Sequence, residues 1–376
     1  MKRAPRFSMC KLNTMLNSVE YRRRKKRLLS TPEMVTLGAH GPCNARCVFC
    51  PKGEYPLFSF EAYKNFFETR MGQFISNARQ VTFTGFGELL LIPHIEDFLD
   101  HINRTLPEAE KTLTTNGTPL TPGVIEKLLK GRYLIQISLH ASNPSLHREL
   151  TGLIDAFKEI IANIRRLADI RNEHARENDL RIELLSVLTV KNIDDLPDFL
   201  RLAWELRARR VRCSYMEIFS PDHLPLSCFF DQERTNLSLK RARAVERALR
   251  SRDSFRPFEA VLPPLFGERL TRRKFVCFRP WQHIYVDLKG SVLPCCCWGE
   301  QISDLHGEDI ACVWNSRFYQ NLRKGLTGGN PHTWCRKCAT YAGYNVNDIS
   351  CHITNRPDMR EMVIKELKAR NEPAMG

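Results

Sequence analysis

No stretch of this 376-residue chain approaches 18 uninterrupted apolar residues, which leaves no candidate for a membrane-spanning helix. The N-terminus is basic but lacks the apolar core of a secretory signal, so the expectation is a cytoplasmic chain that is not exported. Internal repeats and low-complexity tracts are also absent, which argues against a solenoid or a fibrous array. Acid is scarce at the start. Residues 1–30 carry ten Lys or Arg against one acid, Glu20, a balance of +9 within a chain total of +15. Arg22, Arg23, Arg24, Lys25, Lys26 and Arg27 are consecutive. Such a run can attract an anionic partner such as nucleic acid, but the simpler expectation is a solvated, partly disordered leader.

Cysteine is plentiful. Fourteen cysteines in a chain with no export signal point to metal or redox ligands rather than disulfides. Three fall at Cys43, Cys47 and Cys50, and seven between Cys277 and Cys338, so two metal centres is the economical reading. At 43% hydrophobic and 26% charged residues the composition is that of an ordinary soluble protein with room for roughly two domains.

Short apolar runs predict strands at 34–39, 81–84, 111–115, 134–140, 181–189 and 211–215. Amphipathic stretches predict helices at 59–70, 93–104, 122–129, 155–171 and 196–206. Six strands alternating with five helices argue a parallel sheet flanked by helices, with its ligand outside the carboxyl ends of the strands. Prolines then bracket one basic helix at 237–251, with Leu239, Ala242, Val245 and Leu249 on one face.

The first strand runs into Gly38-Ala39-His40-Gly41-Pro42-Cys43-Asn44-Ala45-Arg46-Cys47-Val48-Phe49-Cys50. Three thiolates within eight residues can wrap one face of a cubane cluster and leave one iron open to an amine and a carboxylate. A zinc site completed by His40 or a distant residue is the alternative. After the second strand comes Thr84-Gly85-Phe86-Gly87-Glu88, after the third Thr114-Thr115-Asn116-Gly117, and the fourth reads Ile137-Ser138-Leu139-His140. By the period of two, Ser138 and His140 share one strand face.

These segments, in this order, resemble the radical S-adenosylmethionine (SAM) superfamily over residues 34–219. The resemblance implies a partial (β/α)6 TIM-like barrel, a SAM-binding 4Fe–4S cluster on Cys43, Cys47 and Cys50, and reductive cleavage of SAM to a 5′-deoxyadenosyl radical. It places Phe49 near the adenine and assigns cofactor contacts to Gly85, Gly87, Glu88, Thr115, Asn116 and Ser138. A low-potential donor such as flavodoxin or ferredoxin is implied as partner.

The later cysteines read Cys277-x17-Cys295, then Cys335-x2-Cys338, with a hairpin expected at 284–293. Four thiolates suit zinc as well as iron. The spacing resembles the SPASM and twitch extensions of the same superfamily, which implies an auxiliary 4Fe–4S cluster on Cys277, Cys295, Cys335 and Cys338. Cys296, Cys297 and Cys351 could substitute as ligands, although Cys296 and Cys297 read more simply as buried or bystander thiols. Tyr344 stands where the full SPASM pattern has a further cysteine, which favours the twitch form. The expected organisation is a leader (1–30), the SAM core (31–220), a linker with the basic helix (221–270), a SPASM/twitch-like domain (271–355) and a tail (356–376). The expected activity is oxidation or crosslinking of a peptide or polar natural-product precursor, with RNA modification and a zinc-bound interaction protein as alternatives. Tyr215 and Glu217, after the sixth strand, are the candidate catalytic groups, and Asp287 and Glu300 are further acids near the second group.

Overall fold

The computed structural model describes residues 8–51, 59–173, 179–252, 257–268, 276–287, 290–295, 301–304, 309–338 and 345–370. Six strands lie side by side in chain order: β1 (Met34–Gly38), β2 (Gln80–Thr84), β3 (Glu110–Thr115), β4 (Tyr133–Ser138), β5 (Leu180–Leu188) and β6 (Arg210–Tyr215). All five pairings among them are parallel. This is the α/β barrel-like core that the strand–helix alternation predicts. The layer between the sheet and its helices is filled by Val81, Phe83, Leu113, Ile135, Ile137, Ile182, Leu184 and Val211, each at most 2% exposed, with Phe83 edge-on to Phe98. Helices such as Ile95–Thr105, Ala156–Glu173 and Leu196–Glu205 carry the chain back between strands and bury one apolar face on the sheet.

The sheet extends at both edges. β7 (Glu259–Val261) adds in parallel to β6. At the other edge β8 (His283–Val286) pairs in parallel with β1, with Met34 opposite His283 and Leu37 opposite Val286. β9 (Ser291–Leu293) then turns back antiparallel to β8, and β10 (Ser303–Asp304) to β9. The expected hairpin is therefore present, but its first strand is a continuation of the core sheet rather than part of a detached domain. The basic helix runs over Gln232–Arg252, and Leu239, Ala242 and Leu249 are among its buried residues.

Residues 8–30, expected as a solvated leader, are instead folded against the body. Helix α1 (Met9–Arg22) begins at Ser8, whose hydroxyl caps Lys11 N. Its Asn17 Nδ2 donates to Ser30 Oγ and Trp281 O, and the Tyr21 hydroxyl donates to Val276 O. Buried Glu20 accepts from the backbone of Leu29 and Ser30. Arg323, fully buried, donates to the carbonyls of Lys26, Pro280 and Trp314. These bonds are invisible to a reading of local charge. The side chains of 22–27 are nevertheless exposed, as expected.

Candidate functional site

The loop after β1 carries the first cysteine group and is laced to its neighbours by backbone bonds. Ala39 N donates to Thr84 O, Gly41 N to Phe86 O and Glu88 N to Pro42 O, so the 85–88 segment runs beside residues 39–42. Such close approach requires glycine. A Cβ on Gly85 would stand 2.2 Å from Ala39 O, and one on Gly87, at φ +106°, 2.0 Å from Gly41 O. Further along, Arg46 N donates to Thr151 O and Val48 N to Leu150 O, which ties the cysteine loop to the helix Pro144–Thr151.

Cys43 is exposed, and Cys47 and Cys50 are half-buried. Burial pushes the Cys47 thiol up to about 12, with Cys50 and Cys43 adding to the effect, and burial and Cys43 push Cys50 upward too. Burial and Glu88 raise Cys43 as well, and thiols so placed ionise together only around a cationic centre. That donor chemistry fits an iron–sulfur cluster.

Glu88 is 1% exposed and joins two of the expected cofactor segments. Its Oε2 accepts from Asn116 N at 2.5 Å and its Oε1 from Leu90 N at 3.2 Å. Burial raises this carboxyl to about 7, against the opposing pull of the Asn116, Thr115 and Leu90 hydrogen bonds. Asn116 Nδ2 in turn donates to Asn44 Oδ1 at 2.7 Å, and Asn44 Nδ2 to Thr118 Oγ1 at 3.0 Å, which connects the turn after β3 to the cysteine loop. Phe49 packs edge-on against His140, their ring centroids 4.7 Å apart. Ser138 closes β4 and is half-buried.

The expectation that Ser138 and His140 share a strand face does not hold. β4 ends at Ser138, and His140 turns out of the strand with φ +63°. Its Nδ1 accepts from Val187 N, and burial, helped by His147, lowers its pKa to about 3, so it packs as a neutral ring.

A cavity of about 600 Å³ opens beside Phe49 and is walled by Tyr215, Glu217, Leu262, Cys351 and His352. The Tyr215 hydroxyl donates to Pro264 O, and its ring lies against Phe266 and His352. Glu217 is reachable by solvent although protein surrounds it. This crowding raises its carboxyl above the ordinary range, with Thr354, Arg356 and Asn355 pulling the other way. The exposed carboxyl weakens the shift by solvent screening. Sequence reasoning missed the part played by residues 345–370. Ile353 bridges to Ile218, and the helix Pro357–Ala369 sets Val363 and Leu367 into an apolar cluster with Phe49 and Met216. Arg356 lies over the Phe86 ring at 5.7 Å. The Gln136–Ser138 strand end has a local signal, but a contact between Arg356 and Phe86, 270 positions apart, has none.

The second group assembles from three places in the chain: Cys277, Cys295 and the Cys335–Cys338 turn. Cys277 is raised to about 11 by burial, with Cys295 and Cys338 adding to it, and Cys335 to about 12 by burial with Cys295, Cys277 and Cys338. The four thiols are thus neighbours, and their donor chemistry also fits a cluster. Cys312 is exposed on the helix Ile310–Trp314, and Cys351 lines the cavity instead. Cys296, Cys297, Glu300 and Tyr344 lie outside the described residues. Asp287 closes the β8–β9 turn by accepting from Ser291 N. Among the described residues, no three His, Cys, Asp or Glu side chains are gathered closely enough to hold a single metal ion.

A family model described as the radical SAM superfamily matches residues 41–203, and one described as SPASM, an iron–sulfur cluster-binding domain, matches 277–339. The chain is 26% identical over 190 residues to the AdoMet-dependent heme synthase of Methanosarcina barkeri (strain Fusaro), covering 48% of this chain and 50% of that protein. It is 21% identical over 288 residues to the antilisterial bacteriocin subtilosin biosynthesis protein AlbA of Bacillus subtilis (strain 168), covering 74% and 59%. The matched part thus spans about half to three-fifths of these relatives' own lengths. Among solved structures, Streptococcus suis SuiB bound to precursor peptide SuiA superposes with a TM-score of 0.58 at 14% identity, over 97% of this chain and 78% of that one. SuiB bound to S-adenosylmethionine gives 0.60 at 15% identity, over 95% and 84%. At these identities the likeness is one of fold.

Proposed function

The chain belongs to the radical SAM superfamily and carries a SPASM-type C-terminal region, and from that premise we propose that it modifies a peptide or polar natural-product precursor by hydrogen-atom abstraction. Cys43, Cys47 and Cys50 hold the SAM-binding 4Fe–4S cluster, and Cys277, Cys295, Cys335 and Cys338 an auxiliary one. When bound, the first cluster supplies one electron to SAM, whose cleavage gives the 5′-deoxyadenosyl radical that removes a substrate hydrogen.

The chain's own residues set the geometry. Phe49, fixed against His140, offers the adenine an apolar wall. Gly85 and Gly87 let the 85–87 backbone lie beside the cysteine loop, where Phe86 O accepts from Gly41 N and the glycine segment would supply carbonyls to the cofactor's amino group. Glu88 holds Thr115 and Asn116 in place, and Ser138 adds a hydroxyl at the end of β4. In the cavity Tyr215 forms a wall, and Glu217, the acid there with a raised pKa, accepts or holds a substrate proton. Cys277, Cys295, Cys335 and Cys338 would hold an auxiliary cluster able to supply an acceptor for the electron of an oxidised substrate, and a flavodoxin or ferredoxin would be the external donor.

The observation that carries this reading is the hydrogen-bonded union of the cysteine loop with the 85–88 and 115–118 turns, beside an open cavity at one end of the sheet. Peptide substrate is supported by the precursor peptide bound to SuiB and by AlbA's role in making a bacteriocin. Anaerobically reconstituted protein is expected to hold about eight irons and to release 5′-deoxyadenosine on reduction with SAM. Deuterium should pass from a labelled peptide into that product. Stoichiometric zinc without iron would overturn the assignment.

A further inference from the structure

Helix α1 is built inside out. Its inward residues are polar: Asn13 Nδ2 donates to Thr31 O and Asn77 O, Asn17 to Ser30 and Trp281, and Glu20 accepts from Leu29 and Ser30. Asn17 and Glu20 are 0% exposed. Its outward residues are apolar: Met9 is 64% exposed, Leu12 43%, Met15 60%, Leu16 38% and Val19 43%. At 3.6 residues per turn these five share one arc of roughly 120°. Leu29, 81% exposed, extends the same segment, so six of the eleven exposed large apolar residues among those described lie between residues 9 and 29. Rolling the helix to hide them would break the bonds of Asn13 Nδ2, Asn17 Nδ2 and the Glu20 carboxylate and leave those groups orphaned. A contiguous apolar patch of this kind marks a contact surface.

We propose that α1 and the cations that follow it dock on an anionic lipid bilayer, an interaction separate from the proposed chemistry. Arg22 to Arg27 are all exposed, and Glu20, the sole acid of residues 1–30, is buried and stands 3.8 Å from Lys25 Nζ of that run. The surface therefore offers apolar side chains beside a six-cation run, the complement of acyl chains under anionic headgroups. At 14 residues α1 is too short to span a bilayer and would lie along it. A second copy is a poor partner, because self-pairing would bring two such runs together. Location agrees with this. The anchors of α1 (Thr31, Asn77 and Trp281) stand just before β1, β2 and β8, at the end of the sheet opposite the cysteine loop. A bilayer there leaves the cavity open to water.

Co-sedimentation of the full chain with vesicles tests this. It should bind an equal mixture of phosphatidylglycerol and phosphatidylcholine, and not pure phosphatidylcholine. Leu12→Glu with Leu16→Glu, and separately Arg23→Glu with Lys26→Glu, should each weaken that binding by about tenfold or more. Far-ultraviolet circular dichroism and the melting midpoint should stay unchanged, since those side chains are exposed. Absence of binding to the mixed vesicles at low salt overturns the proposal. So does binding that survives the apolar substitutions, which would be adsorption by charge alone. Lipid-free dimerisation that Leu12→Glu with Leu16→Glu abolishes would assign the face to a second copy, and stoichiometric capture of an acidic peptide without vesicle binding to a protein partner.

Discussion

Glu88 and Asn116 are bonded through a carboxylate oxygen and a backbone N–H, so one buried acid sets the turn after β3 against the turn after β2. The bond has a pH signature. Burial raises the carboxyl from 4.5 to about 7, so the folded chain keeps its proton over a range where the unfolded chain loses it. Stability contributed by this group should fall as pH rises from about 4.5 to 7 and then level off. The difference in melting midpoint between wild type and Glu88→Gln, followed from pH 4.5 to 8, should trace that decline.

Three histidines run the other way. Burial holds His140 and His283 at about 3 and His147 at about 4, so below 6.5 the unfolded chain takes up protons that the folded one refuses. Their contribution is lost as pH falls from 6.5 towards 4. His147 is 1% exposed with neither ring nitrogen hydrogen-bonded. His147→Leu should gain about 1 kcal/mol at neutral pH and flatten the acid limb of the melting curve against pH.

Gly87 and Gly267 both have positive φ, +106° and +84°, but only Gly87 faces another backbone. Gly267→Ala should cost about 1–2 kcal/mol for its conformation alone. Gly87→Ala should exceed about 4 kcal/mol or prevent folding, because neither chain segment can give way. Urea unfolding of the two variants compares them directly.

Cys335→Ser should remove about four irons from the reconstituted protein, whereas Cys312→Ser should remove none. Iron analysis with absorbance near the charge-transfer bands reads both. Equal loss in the two variants would exclude the proposed auxiliary ligand set.

Arg323 bonds three carbonyls and lies 4.8 Å from the Trp314 ring centroid. Arg323→Met should destabilise the chain by about 3 kcal/mol or more, since those carbonyls lose their donors inside the protein. Lysine should not rescue it, having one point charge where a planar fork is needed. Chemical denaturation would measure both.

Much of the core was readable because its signals are local. The strands between 34 and 215 alternate with helices of their own period, and the Cys43–Cys50 spacing and the 85–88 segment stand where strands end. What escaped notice depends on contacts between distant residues. α1 hides polar groups and shows apolar ones, so its pattern points away from the protein it packs on. The pairing of β8 with β1 joins residues about 250 positions apart, and nothing near Arg356 or Cys351 announces their places beside Phe86 and the cavity.

That β1–β8 ladder has a further consequence. The first cysteine loop leaves the end of β1, while Cys277 precedes β8 and Cys295 follows β9. One continuous run of backbone hydrogen bonds thus acts as a ruler between the two thiol groups. A slip of one residue would change their spacing by about 3.3 Å and turn every β8 side chain to the opposite face. Any electron passing between the two groups would cross a gap calibrated by sheet register, not by the reach of flexible side chains.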